Sequence, residues 1–467
     1  MDPTAGGGVI PFESLRYGLP TKANELNPVP SMILKVLLEF APEAGSLERE
    51  ATLWGEKIRE KARSELSDYF PSAEPNQAPD SYVCTYSVEC PTCGCELPLV
   101  PKWWIRNRRS AEDVMVKPEV KDETIQFNCL VDPSPEEVGD FDPSSGTVSR
   151  GGDAECLSCG VVMESDQIKE EFQTESFEYT IYCVKYKSSD GSYGYRSPQD
   201  IDYEATEKAR KTVEQDYQLS TLLTSPVPEG KETARTRRHG ITQWRDMFSP
   251  RQLLSHYEYL SATKYYEDEI REEYDEDTAD ALLTLFTLAA SKMVEYNSRL
   301  ASWHMGKGYP DHIFKRKDFA FQRVFVDNNL SIGGMGHESH LGKIVDSYEE
   351  IVSYLPTNTS PGEVSNRDAA KLPYPDNSIQ AGVIDPPYYS SVMYAELSDI
   401  FYVWMNEYLG DVFPSFFDTE LTDKENEAVA NPTRFDKVSG DRSSKELANQ
   451  DYEEKMSDIF SELYRVL

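Results

Sequence analysis

Apolar residues recur at helical spacing in several long stretches of this chain and at alternate positions in a few short ones. The helical spacing predicts an amphipathic helix over 47–69 and further helices over 203–217, 250–272, 277–299, 341–355, 393–409 and 451–467. Alternation over 177–187, followed by the turn residues Ser189-Asp190-Gly191-Ser192, predicts a β-hairpin. Near the start, Gly6, Gly7 and Gly8 precede a short helical pattern that ends near Tyr17, with Gly18 as its stop. A strand near 22–26 and a helix over 30–40 follow, which makes half of a β–α–β unit. A second half is expected around an apolar strand at 380–384 that ends abruptly at Pro386-Pro387, since two prolines continue neither a ladder nor a helix. The stretch 300–340 has little regularity, and 411–450 reads as a polar, acidic surface loop. These shifts divide the chain into a first core segment (1–45), a linking helix (46–80), a cysteine-bearing β insertion (81–200), a helical region (201–340) and a second core segment (341–467). No internal repeat is visible.

Composition narrows the class. With 467 residues, 39% of them hydrophobic and 11% aromatic, the chain can bury more than one core. No apolar run approaches a membrane span and no signal peptide opens the chain, so a cytoplasmic protein with no membrane partner is expected. The net charge is −35, from 82 acidic against 47 basic residues spread along the whole length. A dispersed acidic excess fits a halophilic source, where screening shortens self-repulsion. It does not argue against nucleic acid, because a small basic cleft can hide in an acidic average.

Two segments carry candidate chemistry. Asp2-Pro3-Thr4-Ala5-Gly6-Gly7-Gly8 opens a helix, so its backbone can pass close to a ligand and offer free N–H groups. No Gly-Lys-Ser/Thr follows, which argues against a P-loop. Glu25 stands about twenty residues on, the spacing of an acid that accepts hydrogen bonds from ribose hydroxyls. Far downstream, Asp385-Pro386-Pro387-Tyr388 leaves the carboxyl end of the expected strand, the edge where open α/β sheets bind ligands. Asp385 and the Pro386 carbonyl can accept hydrogen bonds from one exocyclic amine, and Tyr388 can stack on the ring that carries it. Such a site works by positioning and electrostatics, and a base in a duplex must flip out to reach it.

Four of the eight cysteines form two matching knuckles, Cys90-Pro-Thr-Cys93-Gly and Cys156-Leu-Ser-Cys159-Gly. Each directs two thiolates at one metal, and together they make a structural four-thiolate zinc site. The 62 residues between them (94–155) exceed the usual gap and must loop out. Cys95 is the nearest rival for a ligand position, while Cys84, Cys129 and Cys183 read as core. The most basic aromatic run, Lys102-Trp103-Trp104-Ile105-Arg106-Asn107-Arg108-Arg109, suits DNA phosphates and structural packing equally. Arg235 to Gly240 and Lys315 to Lys317 are weaker examples. Asn297-Ser298-Arg299 and Trp303 are candidates for the floor of a site. The histidines show no ligand spacing.

The stretches DPTAGGG, ELNPVP, CPTCG…CLSCG, MFSPRQLL, VEYNSRLASW, DPPY, AELSDIFYVWM and LYRVL together resemble the amino-methyltransferases that use S-adenosylmethionine. More closely, they resemble the adenine-specific DNA methylases with an internal zinc ribbon. That resemblance implies an α/β fold: a Rossmann-like class I methyltransferase core with an inserted zinc-ribbon β subdomain and helical segments. It implies methyl transfer to N6 of adenine in DNA, with S-adenosylmethionine and a structural Zn²⁺ bound. Asp385, Pro386, Pro387 and Tyr388 would be catalytic. Asp2, Ala5, Gly6, Gly8, Glu25 and Asp368 would hold the cofactor, and Cys90, Cys93, Cys156 and Cys159 the metal. Thr4 stands where the family has an aromatic residue. Measured against the family, the chain reads as truncated at both ends. Other members of a restriction-modification or phage-defence system would be partners by the same analogy. Two alternatives remain: an RNA exocyclic-amine methyltransferase, and a partial methylase that only binds DNA or a partner.

Overall fold

Local signals set most helix boundaries. In a computed structural model the chain is described over residues 1–108, 111–121, 124–174, 177–315, 318–390, 392–438 and 442–467. Helix α1 (Val9–Arg16) starts at Gly8, whose φ of 85° only glycine adopts freely, and stops before Gly18 at φ 74°. Asn27 caps α2 (Pro28–Lys35) through the Val29 N–H, and a π turn, Val36–Phe40, extends it. Next come α3 (Glu48–Leu66), α4 (Ser165–Gln173) and α5 (Asp200–Gln215). Ser249 and Gln252 form a capping box at α6 (Pro250–Glu273), with proline in the first turn. Asp275 caps α7 (Glu276–Tyr296). The last three helices are α8 (His337–Tyr354), α9 (Tyr394–Leu409) and α10 (Ser444–Val466), the last with a Ser443–Glu446 capping box.

The strands form several small sheets, so the fold is mixed α/β. Strands β1 (Lys22–Asn24) and β14 (Glu363–Ser365) pair in parallel. The long strands β2 (Gln77–Glu89) and β9 (Phe177–Ser188) pair antiparallel, flanked by β3 (Glu96–Pro98), β10 (Tyr193–Arg196) and β13 (Val324–Asn328). The expected hairpin is therefore present as β9–β10. Strands β4 (Trp104–Arg106), β5 (Val114–Lys121) and β6 (Thr124–Val131) make a separate three-stranded sheet between the cysteine knuckles. The pairs β7 (Ala154–Glu155) with β8 (Val162–Met163) and β11 (Trp303–His304) with β12 (Tyr309–Pro310) are two residues long. The largest hydrophobic core is continuous from Met32 to Phe417 and takes in α2, α3, α6 to α9 and the inner face of the β2 sheet. No helix among the described residues is long and apolar enough to cross a membrane.

Around β1 the backbone continues beyond the named strands. Asp2 forms a parallel bridge with Ala23. Met1 in turn donates its terminal amine to the Ala381 carbonyl and accepts from the Val383 N–H, each at 2.9 Å, the pattern of a parallel pair. Four segments thus lie side by side in the order 363–365, 22–24, 1–2, 381–383. The strand expected over 380–384 is not formed as a named strand, and its backbone pairing is this contact with Met1. The aromatic run after the DPPY turn forms α9, which buries Ile400, Tyr402, Trp404 and Met405 in the core.

Candidate functional site

The glycine loop and the DPPY turn, 379 residues apart from Gly6 to Asp385, line one cavity of about 450 Å³. Polar side chains organise it from behind. Asn24, fully buried, donates to the carbonyls of Pro3 and Arg367 at 3.0 and 2.9 Å, tying the loop after Asp2 to the loop after β14. Asn366 donates to the carbonyls of Glu25 and Leu26. Asn27 donates to Ser398 Oγ at 2.8 Å and so fixes the start of α2 against α9.

Glu25 sits at the end of β1, its carboxylate accepting from the N–H of Gly6 at 2.8 Å and of Asn27 at 3.1 Å. Burial pushes its pKa up, and those N–H groups oppose the shift. Gly6, Glu25 and Asp368 line the cavity, as do Asp385, Pro386, Pro387 and Tyr388. Asp2, Ala5 and Gly8 do not. They stand one layer behind, for reasons of packing. Asp2 is 2% exposed and accepts from the Thr4 N–H at 3.1 Å. Burial pushes its pKa up to about 6. Ala5 packs in the small core beneath the loop, and a Cβ on Gly8 would meet Leu37 and Leu34 at 2.7 and 2.8 Å. Thr4 lines the cavity, and its hydroxyl has no hydrogen-bond partner among the described residues.

At the other end Asp385 is exposed and accepts from the Tyr388 hydroxyl at 2.9 Å. The Pro387 carbonyl is held by Tyr452 at 2.9 Å. The Pro386 carbonyl receives no hydrogen bond among the described residues. Tyr389 adopts φ 46°, uncommon for a tyrosine, and its carbonyl accepts from the Ala430 N–H at 3.0 Å.

Four lining residues, Asp423, Asn426, Glu427 and Ala428, belong to the stretch read from the sequence as a surface loop. That stretch folds back on α9 because Glu396 and Asp399 are buried there and need donors. Thr422 donates to Asp399 through N–H and hydroxyl, Lys424 pairs with Asp399 at 2.7 Å, and Asn431 donates to Glu396 at 2.9 Å. Glu427 accepts from the Ala395 N–H in the first turn of α9 at 2.9 Å, and burial pushes it up to about 7. No motif marks this residue. The signal available was the bare acidity of 411–450, which pointed to the surface instead. The lining holds five carboxylates, Glu25, Asp368, Asp385, Asp423 and Glu427, and no lysine or arginine.

The cysteine knuckles also converge. The sulfurs of Cys90, Cys93, Cys156 and Cys159 all lie within 4.8 Å of one another, with Cys90–Cys159 at 3.6 Å and Cys93–Cys156 at 3.7 Å. A tetrahedral zinc with Zn–S bonds of about 2.3 Å sets its sulfurs about 3.8 Å apart, so the cluster could hold a metal such as zinc. Both turns have one geometry. Gly94 and Gly160, at φ 71° and 72°, each donate to the carbonyl of the first cysteine at 2.9 Å. Cys95 is buried beside the cluster but outside the four. Cys129 and Cys183 lie 3.7 Å apart, away from it.

Two of the remaining candidate groups resolve towards packing. Trp103 is buried against Phe127 and Tyr182, and Arg106 is held by Glu112 and lies over Tyr195. Asn297 and Arg299 are buried in bonds to Asn328, Tyr86 and Asp246 and do not reach the cavity. Arg109, Arg316 and Lys317 lie outside the described residues. Comparison of the chain with protein-family models, with curated proteins and with solved structures gives no match.

Proposed function

We propose that this chain is an S-adenosylmethionine-dependent methyltransferase acting on the exocyclic N6 amine of adenine in DNA. The observation that carries the reading is the meeting of the glycine loop, Glu25, Asp368 and the DPPY turn around one cavity. The backbone order supports it. Numbered along the chain, segments 1–2, 22–24, 363–365 and 381–383 stand in the spatial order 3-2-1-4, that of a doubly wound Rossmann-like sheet, with the cavity at their carboxyl ends. The charge of the lining supports it too. Five carboxylates without a lysine or arginine disfavour a nucleotide polyphosphate and favour a cationic ligand, which a sulfonium is.

In this reading the residues divide the work. Glu25 would accept from the ribose hydroxyls of the cofactor, and Asp368 would meet its adenine amine. When bound, S-adenosylmethionine supplies an electrophilic methyl group. Asp385 and the Pro386 carbonyl would accept the two amine hydrogens of a flipped adenine and so keep its nitrogen lone pair free for the methyl group. Tyr388 stacks on the base. Glu427, with a pKa raised to about 7, stands in the same wall as a carboxylate able to take the amine proton near neutral pH. The four-cysteine centre lies apart from these residues and would hold zinc in a structural role.

Transfer of a tritiated methyl group to unmethylated DNA and to RNA, with Asp385→Ala as control, tests the proposal. Label in DNA that Asp385→Ala abolishes is expected. Label in RNA alone, or none in either with no cofactor bound, overturns it.

A further inference from the structure

We propose that Arg235, Arg238 and Arg323 form a seat for the phosphodiester backbone of DNA, on the ridge between the cavity and the four-cysteine centre. The inference rests on the DNA-methyltransferase reading for its choice of polyanion, and on the following geometry for its place.

Segment 230–240 is pinned at both ends. At one end the Glu232 N–H donates to Glu396 at 2.9 Å, one residue from Ala395 in the cavity wall. At the other, Gly240 approaches α4 so closely that a Cβ would lie 2.3 Å from the Phe172 carbonyl oxygen. The His239 ring stacks on Phe321 at 4.1 Å and 8°. Helix α4 follows the second cysteine knuckle after the two-residue strand β8. The segment therefore runs as a fixed span from the DPPY side of the cavity to the metal side of the molecule.

Its cations are poorly neutralised, which is unusual in a chain of net charge −35. Arg323 is half-buried against Gly152, and its Nε is buried without a partner. Its side chain makes no ion pair or hydrogen bond among the described residues. Burial, and then the charge of Arg235, lower its hold on its proton, the opposite of what a neighbouring carboxylate does. Arg238 is exposed, and its Nε donates to a backbone carbonyl of its own turn. Arg235 is exposed and reaches Asp318 only at 3.9 Å. Of the carboxylates nearby, Asp166 pairs with Lys169 at 2.7 Å, Glu232 on the same segment stands 3.8 Å from Lys231, and Glu229 lies 4.0 Å from Arg237. A guanidinium left without a carboxylate suits a phosphate, whose oxygens match its paired N–H groups. A flipped adenine needs its flanking backbone held beside the cavity, which phosphate contacts do without reading sequence.

Binding of a fluorescent duplex to the full chain, measured over a series of KCl concentrations, tests this. Arg235→Ala with Arg238→Ala alters two exposed side chains. Arg323→Gln is the second variant, used where its thermal melt matches the parent. The double variant should lose roughly 10-fold or more in affinity for every duplex sequence, and the slope of log K against log salt should fall by about 1 to 2. Affinity and slope unchanged in the variants overturn the seat. So does a slope change seen with RNA and absent with DNA. Calorimetric binding of S-adenosylmethionine separates the two readings. A lost slope with no cofactor binding keeps the seat and removes the methyltransferase, whereas methylation with an unchanged slope removes the seat alone.

Discussion

Tyr388 is the residue whose state matters most to the proposed chemistry. Its hydroxyl closes on Asp385 at 2.9 Å, while its ring remains 65% exposed. A base that stacks on the ring and gives its amine to Asp385 must displace that hydroxyl. The hydrogen bond therefore competes with substrate, and the ring favours it. Surface hydrogen bonds of this kind contribute roughly 1 kcal/mol, whereas base stacking contributes about 1–3 kcal/mol. Tyr388→Phe removes the competitor and keeps the ring, so methyl transfer should stay within about 3-fold of the parent. Tyr388→Ala removes both and should lower kcat/KM for DNA about 5- to 150-fold, with S-adenosylmethionine affinity unchanged by calorimetry. Equal losses in the two variants would assign the effect to the hydroxyl and count against stacking.

The knuckles show what spacing alone can establish about an element and where it stops. Two Cys-x-x-Cys-Gly turns fixed the four thiols and the two left-handed glycines, and the sulfurs do converge. The β4–β5–β6 sheet, which fills the long gap between them, was not visible beyond short strands and turns. Metal analysis should find about one zinc per chain, and Cys156→Ser should abolish it. Because the cavity is built from residues 3–30, 368–398, 423–428 and 459, the zinc-free variant should melt earlier yet still bind S-adenosylmethionine. Loss of cofactor binding together with zinc would show that the centre also supports the cavity. Long helices were legible where their buried positions recur every three or four residues over several turns, as in α3 and α5. The inward packing of residues 422–431, within the stretch 411–450 read as a surface loop, was not, since its charge predicts solvent, whereas the buried Glu396 and Asp399 recruit it. Arg251 is a similar case. It is fully buried on α6, 3.8 Å from Asp327 on β13, where composition would place it at the surface.

At the scale of the whole molecule, the two halves of the candidate site were legible as motifs, but their meeting was expected only from the family resemblance and not from any local pattern. It depends on parallel contacts between segments hundreds of residues apart, such as β1 with β14, which leave no local pattern. The same holds for β13, which crosses from the helical region to pair with β2 and joins both to one core. Net charge acts at this scale as well. The excess of carboxylates that gives −35 is dispersed, so no single pair carries the repulsion, and removing one acid should change little. Screening acts on all of them together. At 0.01 M salt the Debye length is about 30 Å, comparable to a domain, and at 1 M it is about 3 Å, shorter than most separations between surface charges. The folded state packs these charges more closely than the unfolded chain, so salt should stabilise it. Thermal melting in KCl from about 0.05 to 2 M should show a rise in Tm of several degrees or more, most of it below about 0.5 M if screening alone is responsible. A rise that continues linearly above 1 M would point to salting-out of apolar surface instead. A flat Tm across the series would mean that local ion pairs, such as Lys185–Asp80 and Arg196–Asp202, already neutralise the field that the net charge implies.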